Sequence, residues 1–112
     1  MSVVFTSHAF DALTAEGKAK RRALEIIGGK AESYAKRLCP VDTGRLRNSI
    51  THQQFDDDTE VVGTNVEYAP YVELGHHTSS GGNVPPKPFL RPAAEGHTAE
   101  YKNIIKVEMS HA

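Results

Sequence analysis

The sequence has no tryptophan, two methionines and one cysteine, Cys39, in 112 residues. A single cysteine closes no intramolecular disulfide, so packing and hydrogen bonds must hold the fold, and the expected site of folding is a reducing cytoplasm. No apolar run approaches the roughly 20 residues that a membrane-spanning helix needs. Met1 to Phe10 lacks the basic start and apolar stretch of a secretory leader, and none is expected. Neither charge sign is in excess: 13 Lys and Arg stand against 14 Asp and Glu, a formal net charge of −1. Strong non-specific nucleic-acid binding rests on many Lys and Arg contacts to phosphate, and this balance argues against it. A phosphate loop, a metal-ligand cluster and an internal repeat are also missing. What remains is 38% apolar and 24% charged, an ordinary composition for a folded domain. The length fits one domain, residues 1–112, with a modest core.

The clearest element is a long helix from about Thr14 to Leu38. Leu24, Ile27, Ala31, Tyr34 and Leu38 recur at three- and four-residue steps and form one apolar stripe. Gly28-Gly29 interrupts it, at about 0.8–1.0 kcal/mol per Gly relative to Ala. This predicts either a kink or the close approach of another backbone. Pro40 ends the helix, because the residue before a proline avoids helical angles. Asp42 or Thr43 is placed to cap a short helical turn reaching Arg47. Ser49 to Phe55 and Glu60 to Asn65 read as strands joined by the polar turn Asp56-Asp57-Asp58-Thr59. Met1 to Thr6 offers another short strand. A short helix is predicted after Pro70, stopped by Gly75. His76 to Pro88, rich in Ser, Gly and Pro, reads as a flexible loop with a stiffer proline end, and its part from His76 to Val84 is expected to be mobile. A last helix is predicted from Pro92 to about Glu108, with Ala94, Tyr101, Ile104 and Ile105 inward. Two long amphipathic helices packed on a small antiparallel sheet, with a long mobile loop, make an α+β fold.

Few residues carry candidate chemistry. Asp42-Thr43-Gly44 is a triplet that aspartic proteases use, where two aspartates share a proton; a dimer could bring two copies together. Against this, the triplet follows a helix and a proline, and Arg45 comes next. The later Val61-Val62-Gly63 is too short and too near to support such a loop. A helix cap and a tight Gly turn explain the triplet better. Of the six histidines, His8, His52, His76, His77, His97 and His111, only His76 and His77 are adjacent, with no Cys or carboxylate at ligand spacing beside them, so no metal is expected. Cys39 needs a His base to act as a nucleophile; a small buried residue at a helix end is the plainer reading. The three aspartates of the turn lack the spaced ligands of a calcium loop. Lys18, Lys20, Arg21, Arg22, Lys30, Lys36 and Arg37 bias the first helix positive, which leaves a small DNA-binding module as an alternative to a solvated helix face. Tyr68, Tyr71 and Phe89 form either a docking surface or core packing under the loop. Glu73 can pair with Arg45, Arg47 or Arg91, within the chain or between subunits, or stand unpaired.

Three phrases stand out together. They are Val41-Asp42-Thr43-Gly44-Arg45-Leu46-Arg47-Asn48-Ser49-Ile50, then Val62-Gly63-Thr64-Asn65 leading into Tyr68-Ala69-Pro70-Tyr71-Val72-Glu73-Leu74-Gly75, then Pro86-Lys87-Pro88-Phe89-Leu90-Arg91-Pro92-Ala93. In this order and spacing the chain resembles the tail-completion family of long-tailed bacteriophages, the head–tail joining or neck proteins typified by gene product ten of phage Hong Kong ninety-seven. The resemblance runs from about Leu38 to Ala94. It departs from the pattern at Leu74 and His76, where the family often has an aromatic residue and a Thr. It implies helices on an antiparallel sheet, no catalysis and no cofactor. It further implies a ring, usually of six copies, at the capsid end of the tail, in the virion after assembly in the host cytoplasm. The implied partners are the head-closing stopper protein, the tail terminator or tube protein, and copies of the chain itself. DNA would pass through the lumen without specific contact. Asp42, Thr43, Gly44, Arg45, Leu46, Tyr68, Tyr71, Glu73, Gly75, Pro88, Phe89 and Arg91 are the structural or interface residues so implied.

Overall fold

A computed structural model describes residues 1–6, 17–41, 43–56 and 58–110. In chain order it contains β1 (Ser2–Thr6), α1 (Gly17–Leu38), α2 (Arg45–Ser49), β2 (Thr51–Asp56), β3 (Thr59–Gly63), α3 (Ala69–Leu74), β4 (His76–His77), β5 (Asn83–Val84), α4 (Leu90–Glu95) and α5 (Thr98–Ser110). This is an α+β fold, as the periodicities predict. β1, β3 and β2 form an antiparallel sheet in that order, with β3 in the centre. The hairpin is β2–β3, with Thr51 opposite Gly63 and Asp56 opposite Thr59, and the ladder is irregular between Gln54 and Asp56.

Strand alternation decides what the sheet buries. Phe5, Glu60 and Val62 face the core, and Val4 on the other face is exposed. α1 lies against the buried face and contributes Ala19, Ala23, Leu24, Ile27, Ala31 and Ala35, with Cys39 just beyond its end. The expected stripe is present, with one correction at its end. Leu38 is 47% exposed and Cys39 only 4%, because the buried row advances in four-residue steps from Ala19 to Cys39 and passes beside Leu38. Full burial of each large core side chain, such as Leu24, Ile27, Ile50, Val62 and Phe89, contributes about 1.5–3 kcal/mol.

The Gly28-Gly29 expectation also changes. α1 runs unbroken through both glycines, and what comes close is a side chain. A Cβ on Gly28 would stand 2.7 Å from Glu60 Oε1 and 2.8 Å from its Cγ. Gly28 therefore makes the space into which the central strand projects Glu60. That carboxylate is fully buried, and neither oxygen has a hydrogen-bond partner among the described residues. Burial, the leading cause, pushes its pKa above the ordinary carboxylate value, opposed by His52 and assisted by Glu25.

The C-terminal helical region is two helices, not one. α4 ends at Gly96, whose N–H reaches Pro92 O at 2.8 Å, and Thr98 Oγ1 donates to Glu95 O at 3.2 Å. The chain turns there, where glycine disfavours helix by about 1 kcal/mol relative to alanine and His97 stacks on Tyr34 of α1, with ring centroids 3.6 Å apart. α5 then packs along α1 and buries Tyr101 and Ile105, while Ala94 and Ile104 are half-buried. Phe5 meets the Tyr101 ring edge-on. The segment expected to be a loop contains a small hairpin: His76 pairs with Val84 and His77 with Asn83. Thr78 closes its turn, donating its N–H to Gly82 O at 2.8 Å and accepting Gly82 N–H on Oγ1 at 3.0 Å.

Candidate functional site

The first two phrases and the start of the third meet at one end of the sheet, where β2 begins and β3 ends. Asp42 lies outside the described residues, so its predicted cap does too. Thr43 Oγ1 accepts the Arg45 N–H, but at a long 3.3 Å. The N-cap position of α2 belongs to Gly44, at φ 86° and ψ −5°, with no side-chain cap bond. Its carbonyl accepts Asn48 N–H at 2.9 Å. A left-handed glycine, a conformation a Cβ would penalise, thus holds the N-cap position, and Thr43 supplies a side-chain acceptor to the first turn. Leu46 is buried in the core. Arg45 does not reach Glu73. Its guanidinium grips Glu67 with two bonds of 3.0 and 2.9 Å and lies over the Tyr68 ring. This bidentate pair ties α2 to the turn before α3 and draws the Glu67 carboxyl below its ordinary pKa. Both side chains are more than half exposed, so the pair contributes at most about 1 kcal/mol.

Glu73 overturns the ion-pair expectation. It is 5% exposed, and its carboxylate accepts three backbone N–H groups at the start of α4. Oε1 takes Phe89 N–H at 3.1 Å and Leu90 N–H at 2.8 Å; Oε2 takes Arg91 N–H at 3.2 Å. A helix leaves its first N–H groups unpaired and positive. Here an acid from a different helix satisfies them, and Pro92, next in line, has no N–H to satisfy. Glu73 is thus neither a surface acid nor the partner of Arg47. The Arg91 guanidinium pairs with Glu95 at 3.3 Å. The cap also explains why α4 starts at Leu90, ahead of the proline predicted to open it.

Gly75 ends α3 as expected, at φ 75° and ψ 174°. A Cβ there would stand 2.6 Å from Val84 O and 2.8 Å from Pro86 N. Lys87 N–H donates to Val72 O at 2.8 Å, so the stretch after the hairpin is stitched to α3. The aromatic residues split between the two readings offered for them. Phe89 is fully buried core, Tyr68 is half-buried, and Tyr71 is 57% exposed with its ring edge toward His76. Pro88 is exposed. Pro40, Val41, Arg45, Tyr68, Val72 and Lys87 line a groove of about 690 Å³.

The other candidates resolve into structure. Among the described residues no three of His, Cys, Asp and Glu gather in a way that could hold a metal. His52 Nδ1 lies 3.0 Å from Glu32 Oε1, His97 is stacked, and His76 and His77 are exposed; His8 and His111 lie outside the described residues. Cys39 is buried, and that burial pushes its thiol above the ordinary pKa, outweighing Arg47. The basic side chains of α1 are largely engaged: Lys20 with Asp58, Arg22 with Glu108, Lys30 with Glu100, Lys36 with Glu32, and Arg37 over Tyr34. That counts against a free cationic face for DNA. In the acidic turn Asp56 Oδ1 accepts Asp58 N–H at 2.8 Å; Asp57 lies outside the described residues. No helix among those described is long and apolar enough to cross a membrane.

Two features escape a reading of the sequence. Glu60 is inward by parity with Val62, a signal present in the alternation and obscured by its charge. Phe55 is 77% exposed, on the outward face of β2 with Thr51 and Gln53, a position that alternation gives and its aromatic ring obscures. No curated protein and no solved structure is significantly similar to the chain. A family profile does match residues 10–75, more than half of the chain and inclusive of the first two phrases; the third phrase lies beyond it. The chain belongs to the family described as "Bacteriophage HK97-gp10, putative tail-component".

Proposed function

We propose that the chain completes the tail at the end nearest the capsid and joins it to the head, as a ring usually of six copies, and that it does so without catalysis. The observation that carries this reading is the use to which the phrase residues are put. Glu73, Gly75, Arg45 and Phe89 are consumed in holding α2, α3 and α4 together, which leaves Val41, Tyr71 and Leu74 as apolar side chains 56–69% exposed beside them. A rigid base that presents apolar side chains suits protein–protein contact. The partners are the head-closing stopper protein, the tail terminator or tube protein, and further copies of the chain. DNA passes through the lumen without specific contact, which fits a near-neutral chain whose α1 cations are largely paired within the fold. The virion is the place of action, after assembly in the host cytoplasm. Deleting the gene from its phage tests this: full heads and separate tails should accumulate. Normal numbers of joined particles would overturn the proposal.

A further inference from the structure

The fold leaves two complementary features unused at opposite ends of the sheet. One is the groove lined by Val41, Arg45, Tyr68, Val72 and Lys87. Its floor is apolar and aromatic, and no carboxylate among the described residues pairs with the Lys87 ammonium. Arg45 adds a second cation, held in place over Tyr68 by Glu67. The other feature is the tip of the β2–β3 hairpin, where Phe55 is 77% exposed and Asp56 follows it. α2 and α3 join the sheet where Thr51 faces Gly63, while the hairpin turns where Asp56 faces Thr59. The four residue steps from Thr51 to Phe55 span about 13 Å of strand, directed away from the groove. The tip therefore cannot fill the groove of its own molecule.

We propose that the Phe55 tip of one copy seats in the Arg45–Tyr68–Lys87 groove of the next copy, with Asp56 against Lys87. The aromatic ring matches the apolar floor, and the acid matches the unpaired cation at the rim. Knob and groove sit on different surfaces, so the contact is heterologous: it repeats head to tail and closes into a ring when the rotation allows. A contact of one tip and one groove is small, so isolated chains associate weakly and the ring gains its strength on its partners. The inference deepens the self-associating part of the proposed function and rests on it.

The test uses two variants of the full chain, Gln53→Cys, exposed on the same face of β2 two residues before Phe55, and Val41→Cys, mixed at high concentration under a mild oxidant, with mass spectrometry to identify each disulfide. The Phe55 ring stays in place, and the parent chain, whose Cys39 is buried, is the control. The 53–41 bridge is expected to exceed both the 53–53 and 41–41 bridges roughly tenfold, as a steered, oriented contact allows. The double variant should give a ladder of multimers. Adding Phe55→Ala to the tip partner should lower the 53–41 yield. Lys87→Glu should lower it too, and Asp56→Lys on the tip partner should restore it. A random mixture of bridges, a dominant 53–53 bridge, a yield that Phe55→Ala leaves unchanged, or no bridge above the control overturns the pairing. Head–tail joining by the parent chain separates the two claims. Joining without the 53–41 bridge leaves the proposed function standing and this pairing wrong. The bridge in a chain that joins nothing upholds the pairing and overturns the joining role.

Discussion

Replacing Glu73 by alanine removes the shared cap of α4. Three N–H groups lose their acceptor, at 3.1, 2.8 and 3.2 Å in the native chain, and two of those bonds are buried. A hydrogen bond to a charged group contributes about 1.5–3 kcal/mol, and a buried donor left unpaired costs about 1–3 kcal/mol. The three bonds share one carboxylate, so their losses do not simply add. Water can also reach the part-buried Arg91 N–H. The expected cost of Glu73→Ala is about 3–5 kcal/mol, a large share of the roughly 5–15 kcal/mol that stabilises a typical domain. Glu73→Gln keeps an acceptor for Phe89 and Leu90 but turns an NH₂ toward Arg91 N–H, and it should cost about 1.5–3 kcal/mol. Arg91→Ala, which removes only an exposed ion pair with Glu95, should cost less than about 1 kcal/mol. Urea unfolding at unchanged m-value measures all three. A Glu73→Ala chain within about 0.5 kcal/mol of the wild type would show that the carboxylate does not hold α4. So would an Arg91→Ala chain that loses as much as Glu73→Ala.

Gly28→Ala should destabilise despite alanine's better helix propensity, because its Cβ would stand 2.7–2.9 Å from Glu60 side-chain atoms; in a Glu60→Ala background the same change should become neutral or stabilising, as unfolding midpoints will show. Glu60 has its folded pKa raised above the ordinary 4.5, so the folded chain holds this proton more tightly than the unfolded one. Its contribution is full below about pH 4.5 and is lost as pH rises through the folded pKa. Glu60→Gln should therefore gain on the wild type in denaturation between pH 5 and pH 8, and a constant difference across that range would refute the assignment. The native Cys39 thiol should resist a thiol reagent at neutral pH and react at once in denaturant; rapid native labelling would contradict its burial. Backbone relaxation should show residues 76–84 of the isolated chain moving faster than α1, and equal order parameters would place the hairpin in the rigid body.

Local pattern makes much of this fold legible in the amino-acid sequence. The α1 stripe, the Pro40 stop, the three strands of the sheet and the Gly75 stop all come from periodicity and punctuation, which depend on near neighbours along the chain. The misreadings involve partners far apart in the chain. Glu73 reads as an arginine partner or an unpaired acid because its three donors lie 16–18 residues away. Gly28 reads as a flaw because the side chain it admits belongs to β3. The last helix reads as continuous because His97 turns the chain only through its stack on Tyr34, in a helix near the other end of the chain. Leu38 reads as inward but is exposed because a buried row of four-residue steps drifts relative to the ideal helix period. For the site, the phrases identify the right region. Sequence cannot assign roles within it, since the same acid can cap a helix, pair with an arginine or face a neighbour.

The proposed role makes this chain the piece that renders a finished tail able to bind a head. Heads and tails purified from phage lacking the gene should be mixed with and without the purified chain. Joined particles are counted by electron microscopy, and infectious titre is measured in parallel. Joined, infectious particles are expected only when the chain is present. Equal joining in its absence would contradict the role, as would no joining in its presence by heads that do accept wild-type tails.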